Sequence, residues 1–262
     1  MSDAAVDDRA DVDRRFGGLD RLYGRSGAAR LRHAHVAVIG VGGVGSWAAE
    51  ALARSGVGWI TLVDFDHVAE SNINRQAHAL TDTVGQVKVK AMRERIMQIH
   101  PHCHVNAVDE FATAQNWPAL LPALPDAVID ACDQVVTKAA LAAWAVASGA
   151  TFITVGAAGG KRLAHRVEVA DVADATHDPL LASVRSRLRR DYGFSRGAKP
   201  MSVTAVFSRE PVSAPDPSCA VEGDGTLNCH GYGSTVAVTA TFGFCAAGWV
   251  FNQLAQSKKI EL

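Results

Sequence analysis

Gly40, Gly42, Gly43 and Gly45 close a β-branched run in VIGVGGVG, residues 38–45, a spacing that lets main-chain N–H groups press against a phosphate. Gly40 suits the tight turn, Gly42 and Gly43 the approach to phosphate, and Gly45 the packing of the helix that follows. The first N–H groups of that helix then face the anion. Asp64, 24 residues beyond Gly40, stands where a carboxylate would hold a ribose hydroxyl. A nicotinamide dehydrogenase and an ATP-using enzyme both need this much.

The residues after Asp64 separate the two. The stretch DFDHVAESNINRQ, residues 64–76, puts Asp66, Asn72, Asn74, Arg75 and Gln76 just past the second strand, where hydride transfer has no use for a cationic polar cluster. Arg75 can grip phosphate oxygens with two N–H groups, and its charge would stabilise a departing pyrophosphate. Lys88, in GQVKVKAM, opens the next helix and could bring a second cation to the same polyphosphate. Asp130 and Asp133, in VIDACD, are candidate Mg²⁺ ligands at the carboxyl edge of a strand. Two cations and a metal carboxylate suit cleavage of ATP between its α and β phosphates. The candidate catalytic residues are therefore Arg75 and Lys88, with Asp130 or Asp133 as the metal carboxylate. Asp64, Asp66, Asn72 and Asn74 join the four glycines as nucleotide contacts.

These residues need elements to hold them in register. HVAVIG reads as a strand, SWAAEALARSG as a helix stopped by glycine, and WITLVDFD (59–66) as the next strand, so strand, glycine turn, helix and strand fall within about 30 residues. The alternation continues with an amphipathic helix over 88–99, strands over 104–108 and 126–133, a helix over 137–149 and a strand over 151–156. This pattern predicts an α/β fold with a doubly wound, mostly parallel, Rossmann-like sheet that holds its ligand at the carboxyl ends of the strands. Further strands are expected in HRVEVAD and over 201–208, with a helix over 178–193. Residues 209–230, rich in Pro, Gly, Ser and Asp, read as a loop beside the site or an unstructured insert. The expected division is an N-terminal tail and helical arm (1–34), an ATP-binding domain (35–170) and a substrate-side region (171–262).

With 262 residues, 48% hydrophobic and 20% charged, the chain can bury a real core. A net charge of −1 gives no global pull toward nucleic acid or membrane, so any RNA contact must come from a local patch. Five cysteines without a C-x-x-C pair argue against a zinc ribbon or a disulfide framework, and with no secretory signal they suggest a reduced, cytoplasmic setting. Residues 1–12 are acidic and polar and read as a loose tail. The stretch from Ser234 to Leu254 is about long enough to span a bilayer, but its threonines and glycines favour a core or subunit-interface helix. Peripheral membrane association is the alternative, and stable insertion is not expected.

The ordered motifs GVGGVGSWAAEALARSGVG, LVDFD, SNINRQ, VGQVK and VIDACD resemble the ThiF/MoeB superfamily, the ATP-dependent adenylating fold of ubiquitin-activating enzymes. RFGGLDRLYG (15–24), TVGAAGGK (154–161), DPLLASVRSRLRRDYG (178–193) and TATFGF (239–244) extend the likeness over nearly the whole chain. Together they are most similar to the tRNA threonylcarbamoyladenosine dehydratase branch. That resemblance implies ATP-dependent cyclisation of the threonylcarbamoyl group through an acyl-adenylate, with tRNA, ATP and Mg²⁺ as partners. It implies ATP and metal roles for Gly40, Gly42, Asp64, Asn72, Arg75, Lys88 and Asp133, with Asp133 preferred to Asp130 as the metal ligand. Gln134 departs from the asparagine frequent in relatives. The resemblance also implies an obligate homodimer in which Arg15 enters the partner's ATP site, a monovalent cation, and a cysteine-desulfurase or sulfur-acceptor partner. Two rivals stay open: adenylation of the C-terminal glycine of a ubiquitin-like sulfur carrier, and a catalytically idle scaffold.

Three further features could carry chemistry. HPHCHV sets His100, His102 and His104 on one side of an extended segment, and a polar stripe explains them better than a metal site. Arg185, Arg187, Arg189, Arg190, Arg196 and Lys199 form a basic run suited to a tRNA backbone or to a solvated helix face. Cys229 could act as a nucleophile or sulfur carrier, but with no fixed cationic partner to lower its pKa a passive role is expected.

Overall fold

The computed structural model describes residues 8–196, 199–216, 218 and 232–256. Cys229 and the greater part of the 209–230 loop lie outside these residues. Helix α1 (Asp8–His33) is bent at Gly24, whose φ is +70°, and it begins inside the stretch expected as loose tail. The elements that follow are β1 (His35–Ile39), α2 (Gly45–Arg54), β2 (Trp59–Val63), α3 (Lys88–Ile99), β3 (His104–Val108), β4 (Ala127–Asp130), α4 (Val135–Ser148) and β5 (Thr151–Val155). After them come β6 (Val167–Asp171), α5 (Pro179–Asp191), β7 (Thr204–Ser208) and α6 (Val236–Gln256).

The strands form one sheet in the order β3-β2-β1-β4-β5-β7-β6, parallel except for β6, which runs against β7. β1 and β4 are buried on both faces, as expected of near-continuous apolar runs at the centre of a parallel sheet. Alternate residues divide between two cores. Val36, Val38, Ile60 and Leu62 pack with α2, α3 and α6 on one face, and Ala37, Ile39, Val63 and Val128 pack with α4 and α5 on the other. The expected α/β architecture is therefore present, and β6 and β7 belong to the same sheet as β1 to β5.

Strand order reverses between β1 and β4, so their carboxyl ends part and leave a crevice beside Gly40 and Ala131. The apolar C-terminal helix α6 closes one side of the structure as a core element. A Cβ on Gly243 would lie 2.6 Å from the Val44 carbonyl oxygen and 2.8 Å from the Ala48 nitrogen, so α6 can lie this close to α2 only because the residue is glycine. Among the described residues no helix is long and apolar enough to cross a membrane. Buried Glu50 on α2 ties α3 down by accepting from Arg95 Nε at 2.5 Å and also pairs with Arg54.

Candidate active site

A cavity of about 330 Å³ opens at this crevice, at the carboxyl ends of β1, β2, β4 and β5. Its wall begins with the glycine turn. Gly40 has φ +85°, and a Cβ there would meet the Ala131 carbonyl and the Cys132 nitrogen at 2.9 Å. Both constraints demand glycine. A Cβ on Gly45 would sit 1.8 Å from the Gly40 carbonyl oxygen, so Gly45 lets α2 start directly against the turn. Gly42 has open space where a side chain would be, and its bare backbone lines the cavity with Gly43.

Asp64 holds this turn from the end of β2. Val41 N–H donates to its Oδ2 at 2.6 Å and Asp66 N–H to its Oδ1 at 2.9 Å. Arg75 and Lys88 both line the cavity while almost fully buried. Arg75 Nη1 donates to Ser71 O at 2.5 Å and to Asn74 Oδ1 at 2.9 Å. Lys88 Nζ pairs with Asp66 Oδ2 at 2.7 Å. Asp133 lines the same cavity and is exposed. The structure thus gathers Gly40, Gly42, Gly43, Asp64, Asp66, Arg75, Lys88 and Asp133 around one space.

Five other candidates do not line the cavity: Gly45, which serves the packing of α2 against the turn, and four that lie elsewhere. Asp130 does not line the cavity: it is fully buried, with Oδ2 paired to Lys138 Nζ at 3.0 Å and accepting from Thr154 Oγ1 at 2.7 Å. Its Oδ1 accepts from Cys132 N–H and Sγ–H. A carboxylate so engaged fits a structural pin under the Cys132–Asp133 step better than a metal ligand. Asn72 is buried, its Oδ1 accepting from Ala69 N–H at 3.1 Å, and it shapes the turn that carries Arg75. Asn74 Nδ2 donates to Ser234 O at 3.1 Å and joins that turn to the start of α6. Arg15 Nη1 donates to Ile99 O at 3.2 Å, beside the start of β3, so within one chain it belongs to the opposite end of the sheet.

The cavity also holds residues that motif reading passed over. Glu110 and Phe111 lie past the end of β3, and the half-exposed Phe111 ring sits 5.0 Å from that of Phe65. Gly156 to Gly159 form the wall beyond β5. A Cβ on Gly156 would come within 2.0 Å of Asp178 Oδ2, and that oxygen accepts from Ala157 N–H at 2.9 Å. Asp178 Oδ1 caps α5 through Leu181 N–H, and burial raises its pKa above the usual carboxylate range. Lys161, also buried, donates to the carbonyls of His177, Ser208 and Glu210 and anchors the far end of this wall. The only hint of this wall was the run TVGAAGGK, because its partners Asp178 and Glu210 come from distant segments. Cys132 lines the cavity too, but burial and the neighbouring Asp130 push its thiol well above its ordinary pKa. It is a neutral S–H donor, not a nucleophile.

The histidine stretch is structural among the described residues. His100 is buried against the Phe16 ring, His104 meets the Trp59 ring edge-on, and Cys103 Sγ–H donates to Val57 O. Among the described residues no group of three or more metal-binding side chains occurs. The basic run is partly committed within the fold: Arg185 Nη1 donates to the Val172 and Ala175 carbonyls, and Arg187 and Arg190 share Asp191.

Comparison with known proteins follows the same outline. The ThiF family model matches residues 17–260. A tRNA threonylcarbamoyladenosine dehydratase of Haemophilus influenzae is 45% identical over 248 residues, 94% of this chain and 95% of the relative. The crystal structure of Escherichia coli tRNA N6-threonylcarbamoyladenosine dehydratase with ATP superposes with a TM-score of 0.83 at 42% identity, covering 92% of this chain and 94% of that one. The same enzyme with AMP gives a TM-score of 0.84 at 43% identity and the same coverage.

Proposed function

The chain belongs to the ThiF family, and from that membership we propose that it dehydrates N6-threonylcarbamoyladenosine in tRNA, using ATP to close the side chain into a ring. The observation that carries this reading is the convergence of Arg75, Lys88 and Asp133 on a cavity walled by the bare backbone of Gly42 and Gly43. That constellation suits a triphosphate cleaved between its α and β phosphates.

The reaction has two steps. The threonyl carboxylate attacks the α-phosphorus of ATP, and pyrophosphate leaves with the bonding electrons. The carbamoyl group then attacks the acyl carbon and gives up an N–H proton to solvent as the ring closes, and AMP departs with the former carboxylate oxygen. Because this second step is intramolecular, its proximity is built into the substrate and no protein nucleophile is required. The neutral thiol of Cys132 accords with that.

Arg75 is set to neutralise charge on the leaving phosphates. Its guanidinium is already held by Ser71 O and Asn74 Oδ1, so little reorganisation is needed when charge develops. Lys88 is paired with Asp66 at the mouth of the same space and can share its charge with a phosphate. Asp64 keeps Val41 in place and offers its remaining lone pairs to a ribose. Mg²⁺ fits Asp133, an accessible hard oxygen donor, since this ion is commonly held by one or two carboxylates plus phosphate and water. When bound there it would offset phosphate charge.

Homodimerisation with Arg15 acting in the partner's site is part of this proposal. In its own chain Arg15 lies toward the amino ends of the strands, so it could reach a nucleotide only across a subunit boundary. For tRNA, Arg190, Arg196 and Lys199 are the exposed cations of this run, and Arg190 can exchange its surface pairing with Asp191 for a phosphate. Neutralising all three should flatten the salt dependence of tRNA binding by about two to three in logarithmic slope. An unchanged slope would remove them from the interface.

The test of the reading is direct. Purified protein, ATP and Mg²⁺ are incubated with tRNA carrying the threonylcarbamoyl nucleoside, and nucleosides are examined by mass spectrometry for loss of one water. Pyrophosphate release that depends on a carrier peptide, without any change in the nucleoside, would redirect the assignment to carrier adenylation.

A further inference from the structure

Gln76 lines the cavity at 6% exposure, and its side chain makes no hydrogen bond among the described residues. Its Oε1 in particular is buried without a partner. The backbone around it is held fast: Gln76 N–H donates to Asn72 O at 2.9 Å, Ala77 N–H to Ser46 Oγ at 3.1 Å, and Trp47 Nε1–H to Arg75 O at 2.9 Å. A buried carboxamide oxygen on so rigid a turn, with no protein partner among the described residues, is an acceptor that a bound ligand can satisfy.

The surroundings say which ligand. Gly43 lies between the Arg75 stem and Thr239 of α6, because a Cβ on Gly43 would be 3.4 Å from both. Thr239 lines the cavity as well, and the nearby Ser234 Oγ at the start of α6 is likewise buried without a partner among the described residues. This corner adjoins Arg75, where the phosphates are placed, while Asp64 marks the ribose side at the end of β2. Phosphate oxygens accept hydrogen bonds and donate none, so they cannot satisfy Oε1. The threonylcarbamoyl group carries two N–H groups, a carbonyl and a hydroxyl, and its carboxylate must come to the α-phosphate beside this turn. A carboxamide presents an acceptor and a donor end at once, whichever way it is turned, and so matches that mixed set of donors and acceptors where a phosphate could satisfy only the donor end.

We infer that Gln76 is a specificity-determining contact to the threonylcarbamoyl group of the tRNA rather than to ATP, an inference that rests on the function proposed above. The test replaces it by residues of similar bulk without hydrogen-bonding groups, Gln76→Met and Gln76→Leu, in the full chain. Calorimetric ATP binding should stay within about twofold of the parent. The kcat/KM for the modified tRNA should fall about tenfold or more, and the thermal midpoint should hold or rise, since an unsatisfied buried amide has been removed. A parallel loss of ATP affinity would make Gln76 a nucleotide contact and overturn the inference. So would unchanged kinetics toward tRNA. Failure of the parent protein to cyclise the nucleoside would instead sink the functional reading, so the two failures are separable.

Discussion

At the scale of single residues, the site depends on charges whose surroundings leave them few alternatives. Arg75 is nearly buried, with its guanidinium fixed by Ser71 and Asn74, so Arg75→Ala should leave the fold intact and lower the rate of adenylation by roughly 10²- to 10³-fold. Single-turnover pyrophosphate release is the measurement that checks this. His78 carries a different prediction, about stability. It is 1% exposed, neither ring nitrogen has a partner among the described residues, and burial, with Lys88 and Arg95 adding repulsion, lowers its pKa from 6.5 to about 4. Between those two values the unfolded chain binds more protons than the folded one, so stability falls as pH drops through the window. The full effect is on the order of 3 kcal/mol. Denaturant unfolding of His78→Leu should show a shallower loss between about pH 6.5 and 4 than the parent, with a residual slope from His35 and His100, whose pKa values burial also lowers. The chemistry at Arg75, Lys88 and Asp133 was readable from residue type and order. The Asp130–Lys138 pair was not, because seven intervening residues must first fold into a strand end and a helix before the two charges meet.

Elements turn those residues into a cavity, and their boundaries show what periodicity can and cannot report. Helix α3 and strand β3 begin and end where hydrophobic spacing places them. β2 and β4 stop earlier than their apolar runs suggest, at Val63 and Asp130, because Asp64 and the Cys132–Asp133 step have left the sheet to face the cavity. The functional ends of strands are where local pattern and tertiary role diverge. Helix α6 offers a direct test of packing. Gly243→Ala should improve intrinsic helix propensity by about 1 kcal/mol, yet the new Cβ would meet Val44 O at 2.6 Å and Ala48 N at 2.8 Å. Overpacking of this kind costs about 1–3 kcal/mol, so the variant should be destabilised on balance. Because Val44 sits in the glycine turn, its KM for ATP should rise as well. A variant more stable than the parent, with unchanged KM, would mean that α6 does not set the turn.

For the whole molecule, the sheet brings the carboxyl ends of four strands to one cavity and leaves Arg15 at the other end of the same chain. If the enzyme acts as a dimer with Arg15 in trans, Arg15→Ala and Arg75→Ala should each be nearly inactive, yet regain part of the parent activity when mixed and allowed to exchange subunits. A mixed dimer then holds one site with both arginines intact. No recovery on mixing, with exchange verified by sedimentation, would place Arg15 outside the site. In this reading the cavity spends ATP to close the threonylcarbamoyl ring on tRNA. The most direct test of it is mass spectrometry of nucleosides from modified tRNA incubated with the protein, ATP and Mg²⁺. The threonylcarbamoyl nucleoside should lose one water only when ATP is present, with AMP and pyrophosphate formed in step. An unchanged nucleoside despite ATP turnover would contradict it.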